Sequence, residues 1–366
     1  MRRRQKHMTT CLLAFLSISL SAADLAGKDE LSKPDGQGAD MSKPVKVFLI
    51  MGQSNAVGLG RIKGDKDSLE KAVTEEKLYP FLVDAASNWT ERNDVRNVFV
   101  EDGKNDSTAV FHNEWLKVGA GKGRLKAFLG IEFGVGHQLG NFYDDPVMLL
   151  KSCSGNRSLG WDLLPPGSRG YDFSSKDKTG KAVTYTYAAY HESPMKWIKG
   201  TAPQKIAWYA GLQYDHDVAN AKKVLAELDQ YYPGARGYEV AGIFWWQGEK
   251  DAGDAGHAAH YEENLVRLIK TLRQDFHAPN AKFVIGTLGE AAKGCGGNEG
   301  EILEAMLAVD GKSGKYPEFK GNVATVYTHD LARGSSGNAH YGHNAKVYMD
   351  VGLAMGEAMV ELLQNK

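Results

Sequence analysis

Five short apolar runs, each closing on small or polar turn residues, do most to restrict what this chain can become. Residues 45–50 (VKVFLI), 146–150 (PVMLL), 240–246 (VAGIFWW), 282–287 (KFVIGT) and 323–327 (VATVY) are rich in β-branched and aromatic side chains and have strand length. Between them run helical patterns. Residues 132–142 form a short, Gly-interrupted one. Residues 209–231 carry Val218, Ala221, Val224, Leu225 and Leu228 at helical spacing, 259–276 carry Leu265, Leu268, Ile269 and Leu272 on one face, and 344–363 carry Val347, Val351, Met355 and Met359. Strands alternating with helices predict an α/β fold, a three-layer α/β/α sandwich with a mostly parallel central sheet covered on both faces.

The 366 residues suit one large α/β domain, placed at 44–366. Two stretches read as insertions. Residues 61–126 are charged with weak periodicity, and 161–200 carry Pro165-Pro166, several Gly and Tyr, and almost no apolar run. Long segments of this kind at the open end of a sheet commonly carry substrate contacts. A formal net charge of −1 gives no sign of a nucleic-acid or anionic-membrane partner.

The start of the chain differs. Arg2, Arg3, Arg4 and Lys6 precede the apolar run CLLAFLSISL (11–20), and Ser21-Ala22-Ala23 follow. This is the pattern of a signal peptide over 1–23, too short to span a bilayer, and it predicts a secreted or periplasmic protein. The polar residues 24–43 read as a flexible lead-in. Cys153 and Cys295 remain after cleavage, and an oxidising compartment permits a disulfide between them without requiring one.

The chemistry gathers at the strand ends. Gly52-Gln53-Ser54-Asn55 follows the first strand, Ser154-Gly155-Asn156 the second, and Gln247-Gly248-Glu249 the third, while His340 lies between the last strand and the last helix. A parallel sheet presents all of these at its carboxyl edge, where ligands bind in open α/β sheets. The set contains a nucleophile, a base, a carboxylate and oxyanion donors, which is the inventory for acyl transfer. Ser54 also has a plain reading as a helix cap. No metal or other cofactor is required. His112, His137, His191, His257 and His260 are scattered, and the pair His257/His260 reads as a solvated helix start.

MGQSN (51–55) and WWQGEKDA (245–252) resemble the motifs of the SGNH hydrolase superfamily in its carbohydrate-esterase branch, family six and the sialate O-acetylesterases. Gly130-Ile131-Glu132-Phe133-Gly134, Ser154-Gly155-Asn156 and Ala339-His340-Tyr341 resemble further blocks of that family. The resemblance implies a serine esterase that removes O-acetyl groups from a carbohydrate, a sialic acid or a polysaccharide such as xylan. It makes Ser54 the nucleophile and His340 the base, with His343 and His329 as competitors. Many members place an Asp three residues before the catalytic His, but here that position is Gly337. Glu249 is then the preferred orienting acid, with Asp330 as the alternative and Asp251 as an anchor of the turn. The oxyanion donors are the N–H groups of Ser54 and Gly155 and the Gln247 amide. Asn156 either helps them or fixes its turn, and Gln53 either supports the loop or touches substrate. Trp161, Trp245 and Trp246 are candidates for stacking on a sugar, although Trp245 and Trp246 adjoin a central strand. The rival readings are a lipid or thioester hydrolase on the same catalytic residues and a non-catalytic glycan-binding module.

Overall fold

The protein is described here by a computed structural model covering residues 31–64, 66–104, 107–177 and 179–365. The signal-peptide reading of 1–23 lies outside the described residues. The strands in chain order are β1 (Val45–Gly52), β2 (Gly60–Arg61), β3 (Glu91–Asp102), β4 (Thr108–Lys117), β5 (Phe128–Leu129), β6 (Val147–Ser152), β7 (Tyr171–Lys176), β8 (Ala182–Tyr187), β9 (Lys196–Ile198), β10 (Tyr238–Trp246), β11 (Lys282–Gly286) and β12 (Val323–Val326). The α-helices are α1 (Ser54–Val57), α2 (Leu69–Thr74), α3 (Glu132–Phe142), α4 (Leu212–Ala226), α5 (Leu228–Tyr231), α6 (Glu249–Ala252), α7 (Ala255–Asp275), α8 (Gly297–Ala308) and α9 (Ala345–Gln364).

Seven strands form the central sheet in the order β12-β11-β10-β1-β6-β3-β4, parallel except for β4, which runs antiparallel to β3 at the edge. The five runs expected from the sequence are β1, β6, β10, β11 and β12. β1, β6 and most of β10 have both faces buried, which explains their near-continuous apolar sequences. On one face, Val45, Val47, Leu49 and Met51 share a core with Val218 and Val224 of α4, Leu265 and Leu268 of α7, and Ile302 of α8. On the other, α9 packs against α3, β11 and β12.

The sequence reading needs four corrections. Residues 61–126 are not simply an insertion, because β3 and β4 extend the main sheet. The charges of β4 sit on the half-exposed edge, where strands tolerate them, while in β3 the buried Arg92 pairs with Asp94. Residues 161–200 hold a three-stranded antiparallel sheet, β7-β8-β9. The helix expected over 209–231 starts only after Gly211 and breaks at Glu227, whose φ of −106° and ψ of 33° leave the helical region. Finally, the part of the lead-in that is described, 31–43, carries no helix or strand but is tied to the domain. Asp40 N–H donates to the Asp144 carbonyl at 2.9 Å, and Lys43 pairs with Asp145 at 3.1 Å. Cys153, buried, and Cys295, partly exposed, are both free thiols.

Candidate active site

β1 is central, and the chain leaves it in opposite directions: β6 pairs on one side and β10 on the other. A strand order that reverses in this way opens a crevice at the carboxyl edge. The crevice is a cavity of about 1040 Å³. Ser54, Gly155, Asn156, Glu249 and His340 line it, from the ends of β1, β6 and β10 and from the turn before α9.

The turn after β1 approaches β10 so closely that a Cβ on Gly52 would lie 2.2 Å from the Trp246 carbonyl oxygen, and its φ of 142° is one that side-chain-bearing residues rarely adopt. Glycine is therefore required there. Gln53 is the cap residue of α1 and Ser54 its first helical residue, so Ser54 is not the helix cap. The far end of α1 is held by a buried ion pair. Lys151 Nζ donates to Glu132 Oε2 and to the Val57 carbonyl, each at 2.7 Å, and Glu132 Oε1 accepts the Gly130 N–H at 2.9 Å. This is what the Gly130–Gly134 block does: it locks the short helix that carries Ser54. Breaking a buried pair leaves one charge uncompensated. Lys151→Met should therefore destabilise the protein by roughly 3–5 kcal/mol, read as a lower urea midpoint. An unchanged midpoint would contradict the locking role.

Gly155 sits beside Ser54: a Cβ on Gly155 would stand 3.5 Å from the Ser54 Cβ. Among the described residues, the N–H groups of Ser54 and Gly155 have no backbone acceptor, which leaves them available to a ligand oxygen. Asn156 is held at φ 58°, lines the cavity, and its side chain makes no hydrogen bond among the described residues. Gln247 corrects the sequence reading. Its Nε2 donates to Gln53 Oε1 (3.2 Å), the Arg157 carbonyl (2.9 Å) and Asp251 Oδ2 (2.5 Å), its Oε1 accepts from Tyr261, and it is fully buried. A side-chain amide with three acceptors for two hydrogens has none left for an oxyanion. Gln53, which accepts from Gln247 and from the Lys250 N–H, supports the same turn while lining the cavity. Asp251 is the anchor expected, accepting the Leu159 and Gly160 N–H groups.

His340 lies in the Ser336–His343 loop, half-buried, with its pKa lowered by burial first and by nearby His343 second, which favours the uncharged ring a base needs. His343 is turned away, with its ring hydrogen-bonded to the Leu59 carbonyl at 2.9 Å. His329 is hydrogen-bonded to the Gly289 carbonyl at 2.8 Å. Ser54 and His340 face one cavity with no hydrogen bond between them, and such contacts commonly tighten only when substrate binds.

The carboxylates do not stand where the sequence reading put them. Among the described residues, none is hydrogen-bonded to the His340 ring. Asp330 is exposed on a short 3-10 turn and is not part of the cavity wall. Glu249 is buried, and its Oε1 accepts Asn55 Nδ2 at 2.6 Å. Burial first and the charge of Glu290 second push its pKa up to about 8. It is a carboxyl group under the histidine loop rather than one against the imidazole.

Asn55 went unassigned in the sequence, although it belongs to the Gly-Gln-Ser-Asn motif. Its Nδ2 also donates to the Gly337 carbonyl at 3.2 Å, and its Oδ1 accepts from Tyr348, so it ties the serine turn to the histidine loop. Glu290 was missed as well, although it follows β11 as Glu249 follows β10. Two further expectations fail. Trp245 and Trp246 are core residues, donating to Tyr261 and to the Thr287 carbonyl, and only Trp161 of the three lines the cavity. His257 is buried beside Asp251 rather than solvated, because α7 starts at Ala255, capped by Asp254, four residues earlier than its apolar stripe suggests.

Residues 173–361 match the model of a family described as carbohydrate esterase, sialic acid-specific acetylesterase. That is a little over half of the chain. The chain belongs to this family of carbohydrate esterases, which are carboxylic ester hydrolases. The matched span includes Gln247, Glu249, Glu290 and His340, while Ser54 and Gly155 lie before it. A probable carbohydrate esterase of Arabidopsis thaliana is 30% identical over 118 residues, 32% of this chain and 40% of that protein, so the match spans less than half of the relative's length. Among solved structures, a carbohydrate acetylesterase from Xanthomonas citri aligns with a TM-score of 0.49 at 16% identity, over 86% of this chain and 55% of that one. NanS aligns with a TM-score of 0.45 at 13% identity, over 88% and 99%.

Proposed function

We propose that the protein is a serine esterase that removes O-acetyl groups from a carbohydrate. The observation that carries this reading is the single cavity that joins Ser54, the available N–H of Gly155 and the ring of His340 at the carboxyl edge of the sheet. Ser54 Oγ attacks the acetyl carbonyl while His340 takes the hydroxyl proton. The oxyanion is held by the N–H groups of Ser54 and Gly155, with Asn156 in the place first given to Gln247. His340 then protonates the departing sugar oxygen. Water attacks the acetyl-serine, His340 takes its proton and returns it to Ser54 Oγ, and acetate leaves. No carboxylate grips the imidazole, so Ser54 and His340 act as a pair, with the charge beneath the loop acting at a distance. The SGNH-type assignment rests on the motif blocks at 51–55, 130–134, 154–156 and 339–341, and export on the pattern of 1–23.

The family description points to an O-acetylated sialic acid as the first substrate to try, and Trp161 in the wall suits a sugar ring. The test is a panel of O-acetylated sialic acids, acetylated xylan and long-chain acyl esters, followed by acetate or acid release. We expect acetate from at least one acetylated carbohydrate. Release from the long-chain esters alone would favour the lipid-hydrolase rival and overturn this reading.

A further inference from the structure

Two neighbouring parallel strands deliver two carboxyl groups to one place beneath the histidine loop. Glu249 follows β10, and Glu290 follows β11. A Cβ on Gly337 would stand 2.5 Å from Glu290 Oε2, 2.7 Å from Glu249 Oε1 and 3.0 Å from the Tyr341 hydroxyl, so all three groups converge on one point. Two buried carboxyl oxygens of the pair, Glu249 Oε2 and Glu290 Oε1, have no hydrogen-bond partner among the described residues. Buried polar groups are rarely left so, and a carboxyl that keeps its proton avoids standing there as a bare buried charge.

The peptide of Gly337 is held on both sides. Its N–H donates to Glu290 Oε2 at 3.0 Å. Its carbonyl accepts from Asn55 Nδ2, which Glu249 Oε1 also holds, and from the His340 N–H at 2.9 Å. A continuous set of hydrogen bonds thus runs from the two carboxyls through one peptide to His340. The chain has no Asp three residues before its histidine, and the space for such a side chain is filled by Glu249 and Glu290.

We propose that Glu290 is a positioning residue for the esterase reaction: with Glu249 it forms a carboxyl pair that holds one proton and grips the Gly337 peptide, setting His340 against Ser54. This rests on the function proposed above. The titratable groups facing the pair are Asp251, Glu299 on α8, His329, and the phenols of Tyr341 and Tyr348. None is a lysine or arginine, so no fixed cation relieves a second negative charge. Burial pushes Glu290 up as it does Glu249. Two carboxyls this close cannot both ionise without repulsion. With one proton on the pair the grip is intact, and burial together with mutual repulsion keeps that proton in place up to about pH 8. As pH rises through that value the proton leaves, the two charges repel, and His340 loses its seat.

The experiment compares wild type, Glu290→Gln and Glu290→Ala on p-nitrophenyl acetate from pH 5 to 10, with thermal melts and NMR of the His340 ring. We expect Glu290→Ala to lower kcat at least about tenfold with KM within about twofold, and Glu290→Gln to recover most of that loss, because its amide replaces the proton-bearing carboxyl. The alkaline fall in kcat near pH 8 should be present in wild type and absent in Glu290→Gln. Equal kcat in wild type and Glu290→Ala, or an alkaline limb unchanged in Glu290→Gln, overturns the proposal. The NMR arm needs no turnover. A single set of His340 ring signals in wild type and Glu290→Gln, but a broadened or multiple set in Glu290→Ala, supports the grip; identical signals in all three overturn it. A wild type that hydrolyses no ester overturns the function proposed above, and the NMR arm then decides the grip by itself.

Discussion

Ser54→Ala is expected to abolish turnover of p-nitrophenyl acetate and of any acetylated sugar the wild type accepts, by on the order of a thousandfold or more, because nucleophile and base act as a unit. The fold should be untouched. Ser54 is the first helical residue of α1 rather than its cap, and among the described residues its hydroxyl makes no hydrogen bond, so alanine removes no such contact. The change in stability should stay within about 0.5 kcal/mol, as for substitutions away from caps and cores. Kinetics and a urea denaturation curve on the same preparation check both halves. Turnover within tenfold of wild type would remove Ser54 from the mechanism and leave the cavity without a nucleophile.

Gly337→Asp is the second large effect, and its sign runs against intuition. The superfamily resemblance makes Asp the usual residue three positions before the histidine, so this substitution restores a familiar triad on paper. In this structure it should destroy activity. The new Cβ would lie 2.5 Å from Glu290 Oε2 and 2.7 Å from Glu249 Oε1, closer than real side chains come, and it would bring a third carboxyl to a buried site that, among the groups named above, no lysine or arginine faces. An uncompensated buried charge costs several kcal/mol. We expect kcat to fall at least about a hundredfold and the melting temperature to drop, with Gly337→Ala showing the steric part alone. Activity equal to wild type in Gly337→Asp would mean that the loop has room for the acid and that Glu249 and Glu290 do not fill its place.

The sheet was legible because its inner strands are buried on both faces and therefore read as continuous apolar runs, as β1 and β6 do. Helix α9 was legible from its stripe, and the structure adds that Asn344 caps it by accepting the Lys346 N–H. β3 and β4 were not: β3, ERNDVRNVFVED, shows its charges before its apolar run, with Arg92 buried against Asp94, and β4 at the edge is half-buried along most of its length, so neither reads as a continuous apolar strand. At the site, sequence order and strand ends brought Ser54, Gly155, Glu249 and His340 to one cavity. The partners of each group could not be read in the same way. Gln247 has the right chemistry for an oxyanion donor, but three acceptors within the fold occupy its amide. Glu290 was hidden because its role depends on Gly337, a residue whose meaning lies in the side chain it lacks.

The hydrogen bond from Asn55 to Gly337 joins residues 282 positions apart. Local contacts form early in folding, whereas pairings this distant wait until loop-closure entropy is offset by the rest of the structure. The β1 turn and its helix can exist long before the histidine loop arrives to meet them. During synthesis, the ribosome has released almost the whole domain before Ser54 can meet His340, so in the proposed mechanism a nascent chain carries the nucleophile without the means to activate it. Hydrolytic competence in this architecture is thus a late event, coupled to completion of the fold rather than to the presence of any one motif.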